Sequence, residues 1–198
     1  MFRFKYLRFL ILPVLAVMPA GAQQAGRDTY TGTVLIYGSG TNLRTRTGTF
    51  TLTIDRQTSN DRADRLLGLL QEDDQNALLR EIGREDVGSF SINGRIGPRV
   101  NVVRESMVDG KTRIFAVFDR WEQFAERRGG YRSLDYPFGV IELYIDPRTG
   151  KGEGTYIGAA KIRWRKDKKT GADQIEIENF ATYPAKLLGV SQRGVRRG

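Results

Sequence analysis

The sequence predicts a mainly β protein of the α+β class, an antiparallel sandwich or barrel of about eight strands with a two-helix insertion after the second strand. Three observations support this class. Polar and apolar residues alternate with a period of two in several segments, short turn signals separate those segments, and one stretch changes to helical spacing. Short strands joined by short links are typical of sandwiches and barrels.

The clearest strand is residues 49–55, where Phe50, Leu52 and Ile54 alternate with threonines. We expect these three apolar side chains to face a core and the threonines to face water. A strand with one wet face is typical of an antiparallel sheet, because parallel sheets are covered on both sides. The other predicted strands are 30–37, 90–92, 100–102, 113–118, 141–146, 161–165 and 174–178.

The turn signals lie between these segments. Asp109-Gly110 separates two predicted strands by two residues, which is a strong signal for a tight hairpin. Pro147–Gly150 and Lys168–Gly171 predict turns between later strands, and Gly38–Gly40 is expected to join the first two.

The two-helix insertion begins after Thr58, which has capping-box spacing to Asp61. Apolar residues then recur at i, i+3, i+4 and i+7, at Ala63, Leu66, Leu67 and Leu70. Glu72-Asp73-Asp74 is expected to start a second short helix that ends at Gly83. A third short helix is predicted over residues 121–127.

The amino terminus has the three-part pattern of a secretory signal peptide over residues 1–22. A basic stretch precedes ten apolar residues, 9–18, and small residues follow at Ala20 and Ala22. The apolar run is shorter than the roughly 20 residues that span a membrane. We therefore expect cleavage after Ala22, export by the general secretory route and a periplasmic or extracellular location. Residues 23–190 would form a single β-rich domain, and residues 191–198 a basic flexible tail.

Composition excludes several functions. The chain has no His and no Cys, which rules out a Ser-His-Asp triad, a His-ligated zinc site and a disulfide scaffold. The net charge is +9, but residues 1–22 and 191–198 each contribute +3, which leaves +3 on residues 23–190. Nucleic acid is therefore not the expected partner, although basic segments such as 161–169 could follow a phosphate backbone. No cofactor and no metal site are predicted, because Glu72-Asp73-Asp74 lacks the loop spacing of a calcium site.

Several short segments resemble a family of exported bacterial β-rich proteins. They are Thr51-Leu52-Thr53-Ile54-Asp55-Arg56, Gln75-Asn76-Ala77-Leu78-Leu79, Asp135-Tyr136-Pro137-Phe138 and Lys151-Gly152-Glu153-Gly154, and the resemblance extends over about residues 30–190. It implies a bacterial, exported, single-domain protein. It assigns no activity, ligand or catalytic residue.

A barrel or cup of about eight strands can hold one small apolar ligand. We expect Trp121 and Tyr136, with the neighbouring Tyr131 and Phe138, to supply aromatic walls, unless these rings are ordinary core. The polar groups would come from basic and acidic residues nearby. The candidate ligand-binding residues are thus Arg120, Trp121, Arg132, Asp135 and Tyr136.

The expected function is an exported, non-enzymatic binding or envelope-associated module. Its partner would be a small amphipathic ligand or an anionic envelope surface. The alternative is a His-free hydrolase of a polar polymer that uses Asp or Glu carboxylates, with Asp135 and Glu142 as the most interesting pair. Since Glu142 alternates outward in its strand, we expect it on a solvated face, and no catalytic residue is assigned.

Overall fold

The computed structural model describes residues 27–38, 44–72, 75–120, 132–166, 173–181 and 183–193. Over these residues the protein is mainly β, with a nearly closed antiparallel barrel and two helices. The strands are β1 Asp28–Ile36, β2 Arg46–Ile54, β3 Gly88–Ile92, β4 Arg99–Val100, β5 Val102–Val108, β6 Lys111–Asp119, β7 Phe138–Ile145, β8 Lys151–Lys166, β9 Asp173–Asn179 and β10 Ala185–Arg193. The helices are α1 Asn60–Gln71 and α2 Gln75–Ile82, and a 3₁₀ turn covers Arg132–Asp135.

Nine strands form the barrel in the order β4-β3-β2-β1-β10-β8-β7-β6-β5, and β9 pairs with the far half of β8. β4 and β5 stand at the two ends of this order but are separated in the chain by Asn101 alone. The Asn101 amide donates to the Val117 carbonyl at 3.0 Å. Its side chain accepts from the Asp119 amide at 2.7 Å and donates to the Glu85 carbonyl at 2.7 Å. This buried side chain therefore holds the seam where the sheet closes.

The barrel interior confirms the inward half of the predicted alternation, but Thr53, which was expected to face water, is buried. Phe50, Leu52 and Ile54 are each at most 2% exposed and lie in the main core with inward-facing residues of the other strands. The Asp109-Gly110 hairpin between β5 and β6 is also confirmed, because both residues have the positive φ that a tight two-residue turn requires.

A second apolar cluster covers the outer face of β6, β7 and β8. Leu66 and Leu70 of α1 lie in it together with Leu78 and Ile82 of α2. The sheet contributes Val117, Phe138, Val140, Ala160 and Ile162. β7 is consequently buried on both faces and has no exposed residue, whereas β6 and β8 are only partly covered.

An aromatic layer crosses the middle of the barrel. Phe90 of β3 lies 6.2 Å from Phe50 of β2, 6.1 Å from Phe118 of β6 and 5.0 Å from Tyr156 of β8, measured between ring centroids. β7 leaves room for it at Gly139, where a Cβ atom would lie 2.0 Å from the Phe118 ring. The aromatic layer fills the barrel with side chains, as small barrels commonly are filled.

Several element boundaries differ from the predictions. Ser59, not Thr58, caps α1 by accepting from the Arg62 amide, whereas the Thr58 hydroxyl accepts from the Val103 amide inside the core. The described part of α2 begins at Gln75, and Asp73 and Asp74 of the predicted helix start lie outside the described residues. β10 continues through Arg193, so residues 191–193 of the predicted flexible tail are part of a strand.

Other predicted features lie outside the described residues. These are the signal peptide, the third helix over 121–127, the turn at 168–171 and the last five residues of the tail.

Candidate functional site

The barrel has two ends of different character. At the upper end β1 and β6 finish and β2, β7 and β10 begin; at the lower end β2, β5 and β7 finish and β1 and β8 begin. The rings of the aromatic layer pack against one another inside the barrel between these ends.

Arg120 lies at the upper end, directly after β6. Its Nε donates to the Tyr136 carbonyl at 2.7 Å and an Nη donates to the Ser133 carbonyl at 2.7 Å. The Arg120 amide also donates to the Pro137 carbonyl at 3.0 Å. Arg120 therefore fixes the 3₁₀ turn and the entry to β7 at this end.

Tyr136 follows the same turn and is buried. Its hydroxyl donates to the Glu178 carboxylate at 2.6 Å, and its ring lies 5.2 Å from the Phe180 ring. Asp135 is exposed in the turn itself. The structure thus places Arg120, Asp135 and Tyr136 at one end of the barrel.

The remaining predicted site residues are only partly covered. Trp121 lies outside the described residues, and only the backbone of Arg132 is described. Of the expected aromatic walls, Tyr131 also lies outside them. Phe138 is fully buried in the cluster between the sheet and the helices, so its ring packs in the core.

Tyr156 is a feature of the upper end that the sequence did not single out. Burial raises the pKa of its phenol, and the positive charge of nearby Arg120 opposes that shift. The ring belongs to the aromatic layer, and a Cβ atom on the exposed Gly158 would lie 3.0 Å from its hydroxyl oxygen. The Tyr156 hydroxyl is therefore a polar group of the aromatic layer on the side that faces the upper end of the barrel.

Exposed apolar side chains occupy one side of the upper end. Ile36 and Tyr37 lie at the end of β1, Tyr183 lies just before β10, and Ile96 lies in the loop between β3 and β4. Ile96 is 90% exposed and Tyr183 is 64% exposed. The rings of Tyr37 and Tyr183 meet edge to face at 5.9 Å. These four residues are called the apolar rim below.

Cationic side chains surround the apolar rim. Arg46 pairs with Ile36 across β1 and β2, and Lys186 pairs with Leu35 across β1 and β10. Arg44 and Arg95 lie in the flanking loops. All four are exposed, and none of them forms a salt bridge with another described residue. The exposed carboxylates of this end, Asp119 and Asp135, lie on the opposite side, by β6 and β7.

The lower end carries inward-facing acidic groups. Asp28 of β1 and Glu105 of β5 follow the inward alternation of Tyr30 and Val103 and are half-buried. Burial, and then the Asp28 charge, raise the pKa of Glu105, and hydrogen bonding from Gln57 opposes this. The pKa of the Tyr30 phenol is raised by burial and by both carboxylates. Gln192 donates to Asp28 at 3.1 Å.

The environment of Glu142 differs from the one that the sequence predicted. Its alternation in β7 predicted a solvated face, but the residue is only 7% exposed because the outer surface of the sheet is covered there. Its carboxylate accepts from Arg113 Nε at 2.5 Å and from the Tyr144 hydroxyl at 3.0 Å. Four residues of strand, about 13 Å, separate Glu142 from Phe138, and Asp135 precedes Phe138. The structure does not bring Asp135 and Glu142 together as a catalytic pair.

The described part of the chain contains no group of three acidic side chains placed to hold a metal ion. None of its helices is long and apolar enough to cross a membrane.

Comparison with known proteins adds no assignment. No protein family matches the chain, and neither a curated protein nor a solved structure is significantly similar to it.

Proposed function

We propose that this protein is an exported, non-enzymatic module that docks on an anionic phospholipid surface of the cell envelope through the upper end of its barrel. The observation that supports this proposal is the apolar rim of Ile36, Tyr37, Ile96 and Tyr183 beside four cations that form no salt bridge with another described residue. An apolar patch bordered by cationic side chains is the chemistry of a protein that lies on an anionic membrane.

The energies of the two parts are comparable. A Lys or Arg near an anionic lipid surface contributes about 1 kcal/mol, so four would contribute about 4 kcal/mol, which corresponds to millimolar binding. Each 100 Å² of rim surface removed from water would add roughly 2.5 kcal/mol. Tyrosine suits this position because its ring packs among acyl chains while its hydroxyl stays hydrated.

The packed interior favours a surface partner over a ligand held deep in the barrel. The aromatic layer places four packed rings inside the barrel, which reduces the space for an enclosed apolar ligand. At the upper end, Arg120 is bound to the backbone of the 3₁₀ turn, so it serves to fix that turn.

Vesicle flotation of purified residues 23–198 tests the proposal. We expect binding to vesicles that contain phosphatidylglycerol, weak binding to vesicles of phosphatidylcholine alone, and release by high salt. The triple variant R44Q/R46Q/R95Q removes three cations and should weaken binding about a hundredfold, at about 1 kcal/mol each. The double variant Y37S/Y183S should weaken binding without changing its salt dependence.

A matched control comes from the lower end. Met107 and Lys111 are an exposed apolar residue and an exposed cation there, and the variant M107S/K111Q should bind vesicles like the wild type. Equal loss in the control and in the rim variants would contradict docking through the upper end. Failure of the wild-type protein to bind anionic vesicles at low salt would also contradict the proposal. This holds equally if native mass spectrometry then shows that the protein co-purifies with a small amphipathic molecule.

A further inference from the structure

We propose that Ile96, in the loop between β3 and β4, inserts into the acyl chains of an anionic bilayer, whereas the tyrosines of the apolar rim stay at the level of the lipid headgroups. This inference rests on the proposed docking of the upper end and assigns a depth to each part of it. The loop, residues 93–98, is called the insertion loop below.

The first observation is the exposure of Ile96. Among the described residues it is the most exposed large apolar residue, at 90% against 64% for Tyr183. A single exposed apolar residue is common on protein surfaces and identifies no site by itself. The way in which the insertion loop is built supplies the second observation.

The first part of the insertion loop is a tight turn that is fixed to the neighbouring strand. Asn93 and Gly94 both have positive φ, 55° and 68°, and the Arg95 amide donates to the Ile92 carbonyl at 3.2 Å. This is the two-residue turn that an Asn-Gly sequence favours. Asn93 Oδ1 also accepts from the Thr49 amide at 2.9 Å, and the Asn93 amide donates to the Thr49 carbonyl at 2.8 Å. These bonds hold the turn against β2.

The second part of the insertion loop is held against β3. The Phe90 amide donates to the Pro98 carbonyl at 3.2 Å. Gly97 lies so close to β3 that a Cβ atom would collide with the Phe90 carbonyl oxygen. Only Ile96 and Gly97 separate this bond from the tight turn, so Ile96 is held away from the barrel by a hydrogen bond on each side. A side chain that is fixed outward before binding loses little conformational freedom when it inserts.

The charges beside Ile96 match an anionic headgroup layer. Arg95 precedes it, is exposed and forms no salt bridge with another described residue. Arg99 follows the loop and is also exposed, with its Nε 3.6 Å from an Asp86 carboxylate oxygen. Cations before and after an aliphatic residue can contact lipid phosphates while the aliphatic side chain reaches the acyl chains. This charge complementarity favours an anionic bilayer as the partner.

The backbone limits the depth of insertion. Peptide groups without hydrogen-bond partners are costly in hydrocarbon, so the backbone of an exposed loop has to stay among the hydrated headgroups. The Ile96 side chain alone would pass this layer, into the region about 5–10 Å deep that interfacial apolar groups reach. Tyr37 and Tyr183 contact each other edge to face, and tyrosine rings favour the interface itself. The apolar rim would therefore contact the membrane at two depths.

Depth-dependent quenching of a fluorophore tests this inference. The chain has no Cys, so I96C, Y183C and M107C variants of residues 23–198 can each be labelled at a single site with bimane. On vesicles that contain phosphatidylglycerol, a nitroxide on the acyl chain should quench labelled I96C more strongly than a nitroxide on the headgroup does. The order should be reversed for Y183C. Neither nitroxide should quench M107C, which lies at the lower end.

Substitution of Ile96 tests the side chain without a label. I96S should weaken binding to the same vesicles roughly ten- to a hundredfold, because it removes the burial of one aliphatic side chain. I96L keeps an aliphatic side chain and should bind like the wild type. Circular dichroism confirms that each variant is folded.

The insertion of Ile96 is overturned if the acyl-chain nitroxide quenches labelled I96C no more than it quenches Y183C. It is also overturned if I96S binds as tightly as the wild type. In both cases the wild-type protein still binds anionic vesicles, so the proposed docking stands. A wild-type protein that binds no anionic vesicle contradicts the docking itself, and the insertion with it.

Discussion

The two ends of the barrel are built from the same strands but differ in how their charges are treated. At the upper end four exposed cations lie beside apolar side chains and form no salt bridge within the part of the chain that the structure describes. At the lower end two carboxylates turn inward beside a buried phenol. The difference shows that strand alternation determines which side chains point inward, whereas the position along the strand determines whether an inward group meets core or water. Each end therefore has its own chemistry.

The largest expected effect comes from opening the aromatic layer that separates the two ends. Phe118→Ala should lower the free energy of unfolding by about 3–5 kcal/mol, because Phe118 is 1% exposed and contacts the rings of Phe90 and Tyr156. Urea denaturation measures the change. Phe118→Leu keeps most of the volume and should cost less. A loss below about 0.5 kcal/mol would place Phe118 outside a packed core.

Truncation of the chain after Val190 should destabilise the lower end of the barrel more than the upper end. It would lose the pairing of residues 191–193 with Thr29–Thr31 and the hydrogen bond from Gln192 to Asp28. We expect a loss of about 1–3 kcal/mol in urea denaturation, at roughly 1 kcal/mol for each hydrogen bond. A chain that ends at Arg193 keeps all these contacts and is the control. Equal stability of the two truncated chains would contradict the assigned end of β10.

The variant Glu105→Gln compares Glu105, a carboxylate that forms no salt bridge with a described residue, with Glu142, a carboxylate paired with Arg113. The folded protein raises the pKa of Glu105, so it binds that proton more tightly than the unfolded chain does. Wild-type stability should consequently fall as pH rises from the ordinary carboxyl pKa through the raised value. E105Q should be more stable than the wild type at neutral pH, and the difference should close towards pH 4.5.

Glu142→Gln is the control for that measurement. Glu142 is paired with Arg113, so losing its charge should destabilise the protein at neutral pH rather than stabilise it. Denaturant titrations at several pH values compare the two variants. An E105Q protein that is less stable than the wild type at neutral pH would argue against the uncompensated acidic end.

The smallest effect on stability is expected at the apolar rim. Tyr183 is 64% exposed, so Tyr183→Ser should change the free energy of unfolding by no more than about 0.5 kcal/mol. The same variant should nevertheless weaken binding to anionic vesicles. A large drop in stability would mean that Tyr183 supports the barrel through Tyr37 and is not primarily a docking residue.

Local patterns predicted most of the sheet. Phe50, Leu52 and Ile54 alternate without error, and Asp109-Gly110 adopts the expected hairpin turn. β10 was missed because its alternation is broken at Leu188 and Gly189, where the register with β1 and β8 shifts. Gly152 and Gly154 were expected in turns or in close backbone packing. They lie inside β8, where a Cβ on Gly154 would come 2.1 Å from the Glu142 carbonyl oxygen.

The chemistry of the two ends could not be predicted in the same way. Asp28 and Glu105 are far apart in sequence, and only the closure of the barrel makes both face the same end. Glu142 shows the converse: a perfect alternation predicted a wet face, but the second apolar cluster lies against that side of the sheet. Period-two patterns identify two faces of a strand, and tertiary packing decides whether the polar face stays in water.

The aromatic layer also separates the two ends of the barrel, so substitutions at one end should have little effect on the other. β1 alone extends about 30 Å from one end to the other, and substitutions farther apart than about 10 Å without shared partners usually have additive effects. Evolution can therefore change the residues of the apolar rim without altering the acidic lower end. A protein engineer could likewise introduce a new binding specificity at one end of the barrel while the other end keeps its properties.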